Sequence, residues 1–361
     1  MKIRSFLLAL CSLFLTNFLS AQDKKLLTLQ EAVDLGVKNS KQLKLSKAKI
    51  DEATAAVDEA KERKLPSAGV NGSYMRILNA DLKMENKNTS GGSTAEPAKI
   101  NQAIYGIMNV SLPIYSGGRI QYGIESARFL EQAAKLDAEN DQNEIIQNTI
   151  EAFANLFKAN TAVKLVQENL LQSQERVREL SKLEQNGLLA RNDLLKAQLQ
   201  GSNIELSLLD AQNNRDLANL NMNLLLGLPE NTQLMPDTNN IEKANDTRVL
   251  EDFIKAAQAN RKDIAATDMR KKAAETNIKS IKTDYYPNIS LTGGYIAADI
   301  PKFFSITNAV NVGVGVTYNI SSLWKTKSKI RQAEARVRQI EATESLLDDN
   351  VRMVGGFAIL I

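Results

Sequence analysis

One unit of this chain is written twice, and any fold has to accommodate both copies. Asn39, Pro66 and Tyr74 match Asn260, Pro287 and Tyr295 at a single offset. Glu31-Ala32-Val33 through Leu43 corresponds faintly to Glu251-Asp252-Phe253 through Ile264. The match sharpens where Leu65-Pro66-Ser67-Ala68-Gly69-Val70 meets Tyr286-Pro287-Asn288-Ile289-Ser290-Leu291. Each copy reads as a helix, a proline and a strand. Val110 through Arg119 then aligns with Val316 through Lys325, and a charged helix rich in Gln and Ala follows both. The pattern predicts an internal duplication.

Four segments alternate apolar and small polar residues, the mark of a strand with two unlike faces. Val310, Val312, Val314, Val316, Tyr318 and Ile320 oppose Asn311, Gly313, Gly315, Thr317 and Asn319. Ile104, Met108, Val110, Leu112 and Ile114 share a face opposite Asn109 and Ser111. Ala68, Val70 and Tyr74 oppose Gly69, Asn71 and Ser73, and Ile289, Leu291 and Tyr295 oppose Ser290, Thr292 and Gly294. About ten tilted residues are what a strand needs to cross a bilayer. On that reading Val110, Leu112, Ile289, Leu291, Val312, Val314 and Val316 face lipid, and the small polar row faces a lumen. Tyr74, Tyr115, Tyr295 and Tyr318 are placed near strand ends, where interfacial aromatics belong. A soluble sandwich with one buried face is the alternative. Four strands cannot close a spanning barrel, since such barrels start at about eight. An open sheet in hydrocarbon would leave unpaired edges. Spanning strands therefore require several copies of the chain. The connections are expected at Asn79–Lys99, a long polar surface loop, and at Ala298–Thr307, a shorter one with Pro301, Phe303 and Phe304.

Arg119 to Gln185 contains no proline and only Gly123. At 1.5 Å per residue such a helix is about 100 Å long. Val163, Val166, Leu170, Ser173, Val177 and Leu180 alternate spacings of three and four, as do Leu194, Ala197, Gly201, Ile204, Leu208 and Ala211. These are two sides of an antiparallel coiled-coil hairpin, with Ala197 and Gly201 allowing close approach. Its tip is Asn186-Gly187-Leu188-Leu189-Ala190-Arg191-Asn192-Asp193. Gly187 serves as a left-handed cap, and Asn192 or Asp193 is expected to cap the second helix. Leu188 and Leu189 are expected to be exposed at the apex, an apolar pair suited to a partner or to ordinary loop packing. Leu226-Gly227-Leu228-Pro229 is a sharp helix stop.

The start of the chain has Lys2 and Arg4, an apolar run from Phe6 to Leu19, and Leu19-Ser20-Ala21. This predicts a secretory signal cleaved after Ala21. Leu8-Ala9-Leu10-Cys11 hints at a lipoprotein signal, against which stands Leu10 where a small residue belongs. No later segment has 18 consecutive apolar residues, so contact with a membrane falls to strands or an interfacial surface. The chain has no histidine, and its one cysteine is Cys11. This removes histidine triads, histidine metal sites and thiol nucleophiles. No catalytic, cofactor or metal site is predicted. A net charge of +3 with interspersed signs does not point to nucleic acid.

Together the duplicated unit, the strand exit Leu112-Pro113-Ile114-Tyr115-Ser116-Gly117-Gly118-Arg119, the tip Asn186 to Leu194 and the helix end Leu226-Gly227-Leu228-Pro229 resemble the TolC family of outer-membrane factors. The resemblance covers about Leu29 to Val351. It implies a mainly α fold with a small antiparallel β part, in which four strands per chain join a shared trimeric, 12-stranded barrel and long helices cross the periplasm. It implies that Gly187, Leu188, Leu189, Ala190, Arg191, Asn192 and Asp193 dock a periplasmic adaptor linked to an inner-membrane transporter. The function implied is a passive export duct for drug efflux or type I secretion, located in the outer membrane. The organisation expected is a signal at 1–21, a helix at 22–66, a membrane hairpin at 67–116 and a helical hairpin at 117–229. A linker at 230–248, a helix at 249–287, a second membrane hairpin at 288–322 and a shortened helical start at 323–361 follow. Val354 to Ile361 loses the preceding rhythm and reads as a truncated end, which takes the family's acidic gate with it; a non-functional channel fragment is one further reading. A periplasmic adaptor also pairs an export signal with a coiled-coil hairpin, but would not repeat the helix-strand unit. An enzyme is the most distant alternative, since pairs such as Asp348-Asp349 read as a solvated helix face.

Overall fold

The computed structural model describes residues 25–78, 101–239, 250–301 and 304–360. The predicted signal at 1–21, the loop Asn79–Lys99, residues 240–248 of the linker and Phe303 lie outside them. In order, the elements are β1 (Lys25–Thr28), α1 (Leu29–Asn39), α2 (Lys41–Glu62), β2 (Ser67–Arg76) and β3 (Gln102–Tyr115). Then come α3 (Arg119–Gln185), α4 (Arg191–Leu226), β4 (Leu234–Asp237), α5 (Leu250–Asn260) and α6 (Lys262–Lys282). A short 3-10 turn at Thr283–Tyr285 leads to β5 (Asn288–Ile300), β6 (Phe304–Thr317) and α7 (Ser322–Leu360).

The duplication extends to a detail the sequence pattern did not resolve. The helix of each copy is broken at the same place, Ser40 in the first and Arg261 in the second, where both backbones turn extended. The Ser40 hydroxyl accepts from the Leu43 amide at 3.2 Å and so restarts the helix. Arg261 has no capping side chain of that kind; its guanidinium bonds the Asp263 carboxylate instead. Each copy then reaches its proline, and in the second the preceding residue, Tyr286, is extended.

Two compact units are formed. The first comprises Met1–Lys47 with Ala138–Arg248. Its core is Leu27, Ala32, Ala152, Phe153, Leu156, Met222, Leu226 and Leu234. Leu27 and Leu234 enter it from β1 and β4, which pair in parallel. Segment 22–66 thus opens with a strand before its helices, and segment 230–248, read as a linker, contributes the strand's partner. The buried Asn223 amide donates to the Glu230 and Thr232 carbonyls at 3.1 and 2.8 Å, fixing the turn that delivers β4. The end of α4 is set by Gly227, whose φ of 66° supports a Schellman closure with Leu228 N donating to Asn223 O.

From Ala138 onward α3 belongs with α4 to this first unit. Val163, Leu194 and Gly201 are buried along the hairpin, the other seam positions are half-buried, and their flanking residues are exposed. A Cβ on Gly201 would sit 3.4 Å from the Ser173 hydroxyl, so the small pair brings the helices close.

The second unit comprises Ala48–Asp137 and Val249–Ile361. Small residues let its helices pack: Ala133, Ala266 and Ala273 are buried, and Ser126 donates to the Ala273 carbonyl at 3.0 Å. Lys271 on α6 reaches Glu341 and Glu344 on α7, both at 3.4 Å. This unit also carries a four-stranded antiparallel sheet in the order β2-β3-β5-β6. The segment Ala298–Thr307, expected as a loop, is mostly strand: Ala298, Asp299 and Ile300 pair with Ile306, Ser305 and Phe304. Its residues do not alternate, and the pairing is carried by backbone bonds past a bulge at Asn308, where φ is 59°. Pro113 is tolerated in β3 because it lies past the last β2 pair, Ser67 with Ser111, and beside a register shift.

Candidate membrane surface and hairpin tip

Residues directly opposite across a sheet share a face, so the register assigns the rows. Ala68, Val110, Gly293 and Val312 form one row, and Val70, Met108, Tyr295 and Val310 the next. Leu112, Leu291 and Val314 form a third, and Ile289 with Val316 continues the same face. The seven residues expected to face lipid therefore lie together on one continuous apolar face. The opposite face carries Gly69, Asn109, Gly294 and Asn311, then Ser67, Ser111, Thr292 and Gly313. These two rows are neutral and small; the next ones on this face bring in Ile107 and Ile296 beside Asn71, and Tyr105 beside Ser73. Gly294 is needed there: a Cβ would come within 2.8 Å of the Met108 carbonyl and 2.7 Å of the Asn311 amide oxygen.

Among the described residues no helix packs as a layer on either face. Val310, Val312, Val314 and Val316 remain 65–77 % exposed. A soluble sandwich would bury such a row, and an apolar area of this extent left bare in water marks an interface. The sheet is also open. β2 and β6 are its edges, each with one unpaired row of backbone donors and acceptors. Tyr295, expected near a strand end, lies in mid-strand, where its hydroxyl donates to Asn308 Oδ1 at 2.9 Å. Tyr115 and Tyr318 lie at or just past the ends of β3 and β6.

At the tip, Gly187 at φ 73° closes α3 by a Schellman motif, with Leu188 N donating to Leu183 O and Gly187 N to Glu184 O. The start of α4 differs from expectation. Its N-cap is Ala190, with no side-chain cap, and Asp193 lies in the first turn, where its charge suits the helix dipole. Sequence reasoning places a polar cap there because such caps are usual; here the Ala190 carbonyl simply accepts from Asp193 N at 3.0 Å. The two leucines also part company. Leu188 is 74 % exposed, whereas Leu189 is half-buried beside Leu180 and Ala197. Arg191 and Asn192 are exposed.

A model of the outer membrane efflux protein family matches residues 33–228 and 253–345, spanning both repeats. The chain belongs to this family. The two matched segments each take in one copy of the repeated helix-strand unit of this efflux protein. Solved channels share the fold at low identity. CusC, described in terms of transmembrane channel formation, is 19 % identical with a TM-score of 0.72, over 92 % of this chain and 75 % of that one. VceC of Vibrio cholerae is 18 % identical with a TM-score of 0.69, over 89 % and 75 %. The Campylobacter jejuni channel CmeC is 18 % identical with a TM-score of 0.69, over 88 % and 67 %. No curated protein sequence matches the chain.

Proposed function

We propose that three copies of this efflux protein pool their four-stranded sheets into one barrel in the outer membrane, forming a passive duct. The observation that carries this reading is the sheet itself. It has one bare apolar face, a second face with small polar rows towards the helix end, and two open edges, and only lipid and neighbouring copies satisfy all of these together. Val110, Leu112, Ile289, Leu291, Val312, Val314 and Val316 meet lipid, and the Asn, Ser, Thr and Gly rows line water. Cargo diffuses along that bore, and energy comes from an inner-membrane transporter.

The connection to that transporter is a periplasmic adaptor held by the tip, Gly187 to Asp193. Leu188 supplies an exposed apolar contact on a protruding turn, and Arg191 a cation beside it. An export signal at 1–21, removed after Ala21, delivers the chain. The test is expression of the full chain with membrane fractionation. A heat-modifiable trimer in the outer membrane supports the reading; a soluble monomer overturns it.

A further inference from the structure

The end of the sheet from which the helices leave differs in chemistry from the far end. Among the described residues the far end carries only Arg76 and Asp299 as charges. The helix end carries cations at all four junctions, Arg63 and Lys64 before β2, Arg119 after β3, Lys282 before β5, and Lys325 and Lys327 after β6, and they outnumber the acids there, Glu62 and Asp284. Arg63 is held by Glu59, and Arg119 shares Asp284 with Lys329. Lys64, Lys282, Lys325 and Lys327 have no ion-pair partner among the described residues, and all four are exposed. Bare apolar side chains stand beside them, Leu65, Tyr286, Tyr318, Ile320 and Trp324. Trp324 is the chain's single tryptophan and is 62 % exposed.

Tryptophan and tyrosine settle where hydrocarbon meets headgroups, and free lysines beside them face the phosphate layer. A neutral bilayer would give these cations no counter-charge. We propose that this collar binds anionic phospholipid headgroups of the leaflet nearest the helices, with Trp324 at the acyl boundary and Lys325 and Lys327 on the phosphates. The inference rests on the membrane reading above.

Trp324 reports on it directly, being the only tryptophan. The full chain is inserted into phosphatidylcholine vesicles containing phosphatidylglycerol, and insertion is first verified by the heat-modifiable oligomer. Quenching of Trp324 is then compared between phosphatidylglycerol and phosphatidylcholine brominated near the headgroup, at equal mole fraction. The anionic lipid is expected to be enriched about fivefold around Trp324, the size of one surface cation's attraction to an anionic leaflet. Lys325→Gln with Lys327→Gln should bring that ratio close to one while insertion is unchanged, and Lys158→Gln should leave it alone. An inserted oligomer whose Trp324 is quenched equally by both lipids, or by neither, overturns the proposal. A chain that forms no oligomer fails at the first step and overturns the membrane reading as well.

Discussion

The two strand exits occupy equivalent places in the duplication and are built differently. In the first copy Gly117 and Gly118 both take positive φ, 61° and 88°, and fold the chain back at once into α3. A side chain on Gly117 would meet the Tyr286 Cβ at 3.0 Å, so the turn is closed and packed. In the second copy the aligned residues are Leu323 and Trp324, already helical and pointing their bulk outward. Duplication preserved the path of the chain but not its surface: one junction became a tight corner, the other an exposed aromatic post. The paired helix breaks tell the same story, with a hydroxyl cap at Ser40 and an ion pair at Arg261.

Where the copies should agree is the apolar face proposed to meet lipid. Val70 and the equivalent Leu291 both lie on the apolar rows, so Val70→Lys and Leu291→Lys should each cost about 2–4 kcal/mol of insertion. Asn71→Lys and Thr292→Lys, one residue along on the polar face, should cost far less. The yield of heat-modifiable oligomer reads both pairs, and a large loss in only one copy would break the equivalence.

The exits should disagree. Gly117→Ala must place a Cβ in left-handed backbone and is expected to destabilise by about 1–2 kcal/mol. Leu323→Ala at the aligned site should stay within about 0.5 kcal/mol, as exposed substitutions do. Thermal unfolding of the two variants side by side measures the contrast.

The helix breaks sharpen it further. Ser40→Ala removes a cap and should cost about 1 kcal/mol at any pH. Asp263→Asn should cost less, about 0.5 kcal/mol for a partly exposed pair. The Arg261 hydrogen bond, against partial desolvation, holds the Asp263 carboxyl below its usual 3.8. A depressed carboxyl stabilises above its unfolded value and loses that contribution as pH falls through the folded one. Melting followed from about pH 5 to pH 2 should show a step that Asp263→Asn removes and Ser40→Ala keeps. The smallest effect is at the tip: Leu188→Ala should leave stability within about 0.5 kcal/mol and weaken only adaptor capture.

Much of this was legible because it is periodic. Alternation found all four membrane-length strands, and the three-four spacing found both sides of the hairpin seam down to Gly201. The misses share a cause: the deciding interaction is not local. β1 and β4 are four residues each and pair across some two hundred positions of chain, so neither segment carries a signal of its own. Ala298 to Ile300 extend β5 only because β6 offers backbone partners. Ala190 caps α4 by backbone position, which no residue type announces. At the tip, spacing could not tell exposed Leu188 from half-buried Leu189.

The account depends most on the open edges being closed by other copies. Within one chain β2 and β6 are separated by β3 and β5, roughly 14 Å at ordinary strand spacing. That is beyond the roughly 7 Å a disulfide tolerates between Cα atoms. Single cysteines at Gly69 or Asn71 on β2, combined with Asn311 or Gly313 on β6, in a Cys11→Ser chain, therefore test the closure. Oxidation in the membrane should give covalent dimers and trimers from at least one pairing. Disulfides formed only within single chains, or no cross-link from any pairing in the inserted protein, would contradict it.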